Sequence, residues 1–183
     1  MKTVPTTLPD ILLIELDVYE DARGRFMETY RHDRYREAGV GAVFVQDNFS
    51  SSARGTLRGL HYQLERPQGK LVWVTRGEVF DVVVDIRRGS PSFGAWYGAL
   101  LSVQNRRQVW IPPGFAHGFT VISDEADLAY KVTEYYAPAD EHAIRWDDPE
   151  LAIAWPLQGA PSLSRRDATA KGLREATLPT WSP

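Results

Sequence analysis

The sequence predicts an all-β fold, a sandwich of two packed sheets with short peripheral helices. Three observations carry that prediction. Most of the 183 residues fall into short runs of β-branched and aromatic residues. Strong turn signals separate them: Arg76-Gly77-Glu78, Arg88-Gly89-Ser90-Pro91 and Pro112-Pro113-Gly114. Many short strands with such punctuation favour a sandwich or barrel over an alternating α/β fold. Finally, Val79–Ile86 is apolar on both faces except at Asp81 and Asp85, as expected of an inner strand covered on both sides.

In chain order the expected strands are Leu12–Val18, Arg25–Tyr30, Val43–Phe49, Thr56–Gln63, Lys70–Thr75 and Val79–Ile86. Trp96–Val103, Gln108–Ile111, Gly118–Ile122 and Asp127–Tyr136 follow. One helix is expected at Asp33–Ala38, where Gly39 is placed to stop it. The length suits one domain over residues 1–183, with the segment from about 156 onward, rich in Pro, Ser and Ala, packing on it.

Composition removes several function classes. With 21 Lys and Arg against 24 Asp and Glu, the net charge of −3 offers no global field for nucleic acid or an anionic membrane. Cysteine is absent, so disulfides, thiolate nucleophiles and Cys-bound metal centres are excluded. The apolar stretch Ile11–Leu16 is short and interrupted by Glu15, unlike a signal peptide. Nothing approaches the roughly 18 unbroken apolar residues of a membrane span. The expected location is the cytoplasm.

Of four histidines, His32 and His142 lie among charged residues and read as surface side chains. His61 and His117 sit beside Gly and aromatic residues at strand ends, a setting more in keeping with function. Lys70 shares strand parity with Val72 and Val74, so its ammonium should point into the apolar interior, a costly place for an idle cation. Arg58 and His61 have opposite parity. Both can enter one pocket only if the strand bulges between them, and Gly59 is the expected place.

The spacing from Gly55 to His61, closed by Gly77, and the run Pro112-Pro113-Gly114-Phe115-Ala116-His117 resemble the two cupin motifs. That resemblance implies a jelly-roll sandwich. Cupins usually hold a metal with three His and a Glu, but here Gln63 stands for one His and Lys70 for the carboxylate. A cation in place of an anionic ligand repels a divalent metal, so no metal and no cofactor are expected.

A longer series resembles the dTDP-4-dehydrorhamnose 3,5-epimerase family almost from end to end. It includes Asp21-Ala22-Arg23-Gly24-Arg25-Phe26-Met27-Glu28, Gln46-Asp47-Asn48-Phe49-Ser50, Leu57-Arg58-Gly59-Leu60-His61-Tyr62-Gln63, Ile144-Arg145-Trp146-Asp147-Asp148-Pro149 and Leu163-Ser164-Arg165-Arg166-Asp167. The resemblance implies inversion of carbons 3 and 5 of dTDP-4-dehydro-6-deoxy-D-glucose through an enolate. It implies His61 as base, Asp167 as its partner, Tyr130 as proton donor across the sugar and Lys70 at the carbon 4 oxygen. It further implies substrate contacts from Arg23, Phe26, Glu28, Gln46, Asn48, Arg58, His117, Glu141 and Arg166, thymine stacking on Tyr136, and a homodimer. A regular strand would place Tyr130 and Tyr136 on one face. The rival readings are a single-carbon epimerase of a dTDP-4-keto-deoxysugar, a metal-dependent cupin enzyme, and a non-catalytic sugar-nucleotide binder.

Overall fold

The computed structural model describes residues 1–181; Ser182 and Pro183, the end of the C-terminal segment, lie outside the described residues. In chain order the strands are β1 (Lys2–Pro5), β2 (Leu12–Glu15), β3 (Tyr19–Asp21), β4 (Gly24–Phe26), β5 (Gln46–Ala53), β6 (Leu57–Gln63) and β7 (Lys70–Arg76). They continue as β8 (Glu78–Asp85), β9 (Trp96–Ser102), β10 (Arg107–Ile111), β11 (Phe115–Val121), β12 (Glu125–Val132) and β13 (Glu141–Ala143). Helix α1 covers His32–Glu37 and α2 covers Arg165–Ala168.

These strands form the expected sandwich. One antiparallel sheet has the order β1-β2-β10-β7-β12-β5, the other β13-β6-β11-β8-β9, and β3 with β4 makes a separate hairpin. Strand alternation sorts the side chains. Val72 and Val74 of β7, Leu128 of β12 and Val109 of β10 meet Val79 and Val83 of β8 and Phe119 and Val121 of β11 between the sheets. The opposite face of β8, with Val82 and Val84, is buried under Leu151, Leu173, Ala176 and Leu178. Thus β8 is covered on both sides, as its sequence predicts. The outer face of the other sheet, with Leu71 and Trp110, packs on Tyr35 and Val40. Among the described residues no helix is long and apolar enough to cross a membrane.

Several expected boundaries move. The strand expected at Val43–Phe49 lies at Gln46–Ala53, because the polar stretch Ser50–Ala53 is held as an edge strand by pairing with β12. The strand expected to reach Tyr136 stops at Val132, where both neighbours of β12 also end, at Gln46 and Lys70. The strand expected at Gly118–Ile122 begins at Phe115, so His117 lies within a strand rather than at its end. The run expected as Arg25–Tyr30 forms only the short β4. The short strands β1, β3 and β13 carry too few residues to show a period, and sequence reading missed them.

The expected irregularity at Gly59 is present. His117 pairs with His61 and Phe119 with Arg58, so Gly59 and Leu60 stand opposite Gly118 alone. That is a bulge, one extra residue on β6. Gly59 adopts φ +130°, and a Cβ there would lie 2.5 Å from the Gly118 Cα and 2.9 Å from the His117 carbonyl oxygen. Gly59→Ala should therefore lower unfolding free energy by at least about 2 kcal/mol, from backbone strain and the clash together. Chemical denaturation checks this, and an unchanged midpoint would show that the bulge tolerates a side chain.

Candidate active site

A cavity of about 340 Å³ opens at one end of the space between the sheets. Because of the bulge, Arg58 and His61 of β6 both line it, with His117 from the neighbouring β11. Lys70 enters from β7 and Tyr130 from β12. Strand β5 contributes alternate residues, Gln46, Asn48 and Ser50, and Gln68, Tyr136 and Glu141 complete the polar wall.

His61 is held from behind. Its Nε2 lies 2.5 Å from Asp167 Oδ1. Asp167 sits in α2, and its backbone N–H donates to the Ser164 hydroxyl, which caps that helix. Burial opposes the Asp167 charge, yet hydrogen bonds from His61, Ser164 and the Gly59 backbone outweigh it and keep the carboxyl below the ordinary carboxylate pKa. Asp167 is thus an anion that fixes one ring nitrogen, leaving Nδ1 of His61 for a ligand.

Lys70 is buried at 8% exposure, and among the described residues its ammonium reaches only the His61 carbonyl oxygen, at 3.4 Å. Burial brings its pKa down to about 8, with Asp81 acting against that fall. At neutral pH the side chain remains mostly an ammonium. Burial also raises the Tyr130 phenol above its ordinary pKa, although Arg58 works the other way, so Tyr130 carries its proton. Four groups thus converge: a carboxylate-oriented imidazole, a second imidazole, a desolvated cation and a protonated phenol. Such a set can take a proton from carbon, stabilise the resulting oxyanion and return a proton.

Nine of the residues named from the sequence line this cavity: His61, Lys70, Tyr130, Gln46, Asn48, Arg58, His117, Tyr136 and Glu141. Arg166 stands just outside, ion-paired with Glu141. Tyr136 arrives by a different route from the one its spacing suggested. It lies beyond the end of β12, where its N–H donates to Gln46 Oε1 at 3.0 Å and its hydroxyl to Glu141 Oε2 at 2.6 Å. Arg23, Phe26 and Glu28 are not brought to the cavity. Arg23 is bound to Asp21 at 2.6 Å, Glu28 to Arg34 at 2.9 Å, and Phe26 is 70% exposed on the β3–β4 hairpin.

Sequence reading missed Ser50, whose buried hydroxyl has no partner among the described residues, and Gln68. It also passed over Asp81, whose Oδ2 lies 2.7 Å from His117 Nε2. The alternation of Gln46, Asn48 and Ser50 along one strand was a signal that could have found the first. Gln63, at the place of a cupin metal ligand, spends its amide on the Arg66 carbonyl at 2.7 Å and the Ala137 N–H at 2.8 Å. His32 is exposed, while His142 is half-exposed and stacks on Tyr62 at 5.4 Å between ring centroids.

Comparison with known proteins decides the family. The profile of the dTDP-4-dehydrorhamnose 3,5-epimerase family matches residues 5–175. The chain belongs to that family. It is 55% identical over 177 residues to the dTDP-4-dehydrorhamnose 3,5-epimerase of Pseudomonas aeruginosa, covering 96% of this chain and 98% of the other. The crystal structure of the Legionella pneumophila dTDP-6-deoxy-D-glucose-3,5-epimerase in complex with dTDP-4-keto-L-rhamnose superposes with a TM-score of 0.97. That pair shares 52% identity and covers 100% of this chain and 99% of the other. The family's cupin-type sandwich is therefore this chain's fold. The dTDP-4-dehydrorhamnose 3-epimerase of Streptomyces niveus is 44% identical over 189 residues, covering 100% of this chain and 90% of that protein. The family thus also includes a 3-epimerase, at lower identity to this chain than the two 3,5-epimerases above.

Proposed function

We propose that this protein is a 3,5-epimerase of dTDP-4-dehydro-6-deoxy-D-glucose, forming dTDP-4-dehydro-L-rhamnose without a metal or other cofactor. The observation that carries the reading is the cavity in which the Asp167-bound His61, buried Lys70 and protonated Tyr130 meet. Carbons 3 and 5 flank the ketone at carbon 4, so either C–H can be ionised once the carbonyl oxygen can accept charge. His61 Nδ1 takes the proton, and the C–H electron pair moves into an enolate. The Asp167 carboxylate stabilises the imidazolium that forms. The Lys70 ammonium stands at the enolate oxygen, desolvated and already in position. Tyr130 delivers its proton to the opposite face and is left as a phenolate; His61 then releases its proton to solvent and Tyr130 takes one up, which resets the site.

Arg58 and His117 are assigned to the sugar and diphosphate, and Gln46, Asn48, Glu141 and Arg166 to the nucleotide half. Tyr136 is assigned to stack on thymine, a role supported by its ties to both Gln46 and Glu141. A nucleotide-linked substrate also suits the cytoplasmic location expected from composition.

Arg23, Phe26 and Glu28 match substrate-binding positions yet lie outside this cavity. We therefore propose a homodimer in which the β3–β4 hairpin and the residues after it serve the partner's cavity. Phe26 at 70% and Tyr19 at 65% exposure leave the hairpin with apolar surface to cover.

In deuterated buffer, proton NMR of the nucleotide sugar should show label at both carbon 3 and carbon 5. Label at one carbon alone would make the protein a single-carbon epimerase. His61→Asn should abolish both exchanges, whereas Tyr130→Phe should lower net inversion more than exchange; wild-type inversion by Tyr130→Phe would remove it as donor. For the dimer, mixing inactive His61→Asn chains with an impaired Arg23→Ala/Glu28→Ala chain should restore activity, because one mixed cavity is intact. A mixture no more active than the sum of its parts would contradict a shared site.

A further inference from the structure

The buried carboxylate of Asp81 lies outside the roles assigned above. It sits on β8 between Val79 and Val83, both of which face the space between the sheets. Lys70 sits on β7 with the parity of Val72 and Val74, which face the same space from the other sheet. Asp81 and Lys70 are therefore opposed charges projecting toward one interior, 1% and 8% exposed. Neither is fully served by its contacts. Asp81 Oδ2 takes His117 Nε2 at 2.7 Å, but Oδ1 is buried with no hydrogen-bond partner among the described residues. The Lys70 ammonium has three protons to donate and, among the described residues, one protein acceptor, at 3.4 Å.

The titratable and charged groups around the cavity leave few other sources of countercharge. Arg58 and His61 come from β6, His117 from β11 and Tyr130 from β12. Glu141 is engaged with Arg166 and the Tyr136 hydroxyl, and Asp167 with His61. A buried ammonium with no countercharge loses its proton rather than remain charged.

We infer that Asp81 is a positioning residue for the reaction: its carboxylate keeps the Lys70 ammonium charged at the ketone oxygen and, through Nε2, fixes the His117 ring with Nδ1 turned to the sugar. Burial brings the Lys70 pKa down to about 8 even with Asp81 opposing the fall, so little further loss would leave the site without its cation at neutral pH. This reading rests on the proposed enolate chemistry but concerns the protonation of a lysine, which can be measured without substrate.

The chain has four lysines, Lys2, Lys70, Lys131 and Lys171, so NMR of protein carrying ¹³C-labelled lysine gives few resonances, and Lys70→Met assigns the relevant one. In Asp81→Asn the Lys70 titration midpoint should fall by about one pH unit or more, while Lys131, paired with Asp47 at 2.9 Å, stays fixed. The alkaline limb of the kcat profile should move down with it. Asp81→Glu, which keeps the charge, should bring both back toward wild type. Asp81→Ser is a second neutral variant and gives the same reading if the Asn protein does not fold. A Lys70 midpoint unchanged in a folded neutral variant overturns the inference. It would leave the epimerase reading intact, because that is tested separately, by exchange of the sugar protons in the wild-type protein.

Discussion

A sandwich of two antiparallel sheets closes its interior with apolar side chains, and β7 follows that rule at Val72 and Val74. At Lys70 the same face carries an ammonium, 8% exposed, with one acceptor among the described residues, at 3.4 Å. An ion in such a place costs several kcal/mol unless other charges compensate it. Much of the site can be read as arranged around that cation. Asp81 faces it from the other sheet, the His61 carbonyl accepts from it, and neutral polar groups of β5 line the same cavity. The same low polarity that makes the ammonium expensive makes it effective toward an enolate oxygen, because little water screens it.

The bulge at Gly59 is the geometric counterpart. Without the extra residue on β6, Arg58 and His61 would face opposite sides, and His61 would lose either its place in the cavity or its neighbouring guanidinium. Gly59 also contributes its backbone to Asp167, so one glycine links the direction of His61 with the charge of the group that orients it. Fold and chemistry meet at this point more directly than anywhere else in the chain.

Much of this was legible in the residues. Period-two patterns gave the inner strand β8 and the inward direction of Lys70, and parity conflict gave the bulge. Tertiary pairing decided the rest. Ser50–Ala53 has weak strand propensity and becomes β5 only because β12 lies beside it. Tyr136 reaches the cavity through Gln46 and Glu141, contacts between segments that no spacing rule connects. Asp81 read as an interruption in an apolar strand until His117 and Lys70 appeared beside it. Arg23, Phe26 and Glu28 matched a family pattern by residue type, but their distance from the cavity could be seen only in three dimensions.

The central claim is that a desolvated cation, and not a metal, carries the charge of the enolate. Lys70→Met removes the charge while keeping an unbranched side chain of comparable length. Exchange of the carbon 3 and carbon 5 protons into solvent should fall by about 10²–10³-fold, with dTDP affinity within a few-fold of wild type. Exchange at the wild-type rate in a folded Lys70→Met protein would contradict the account.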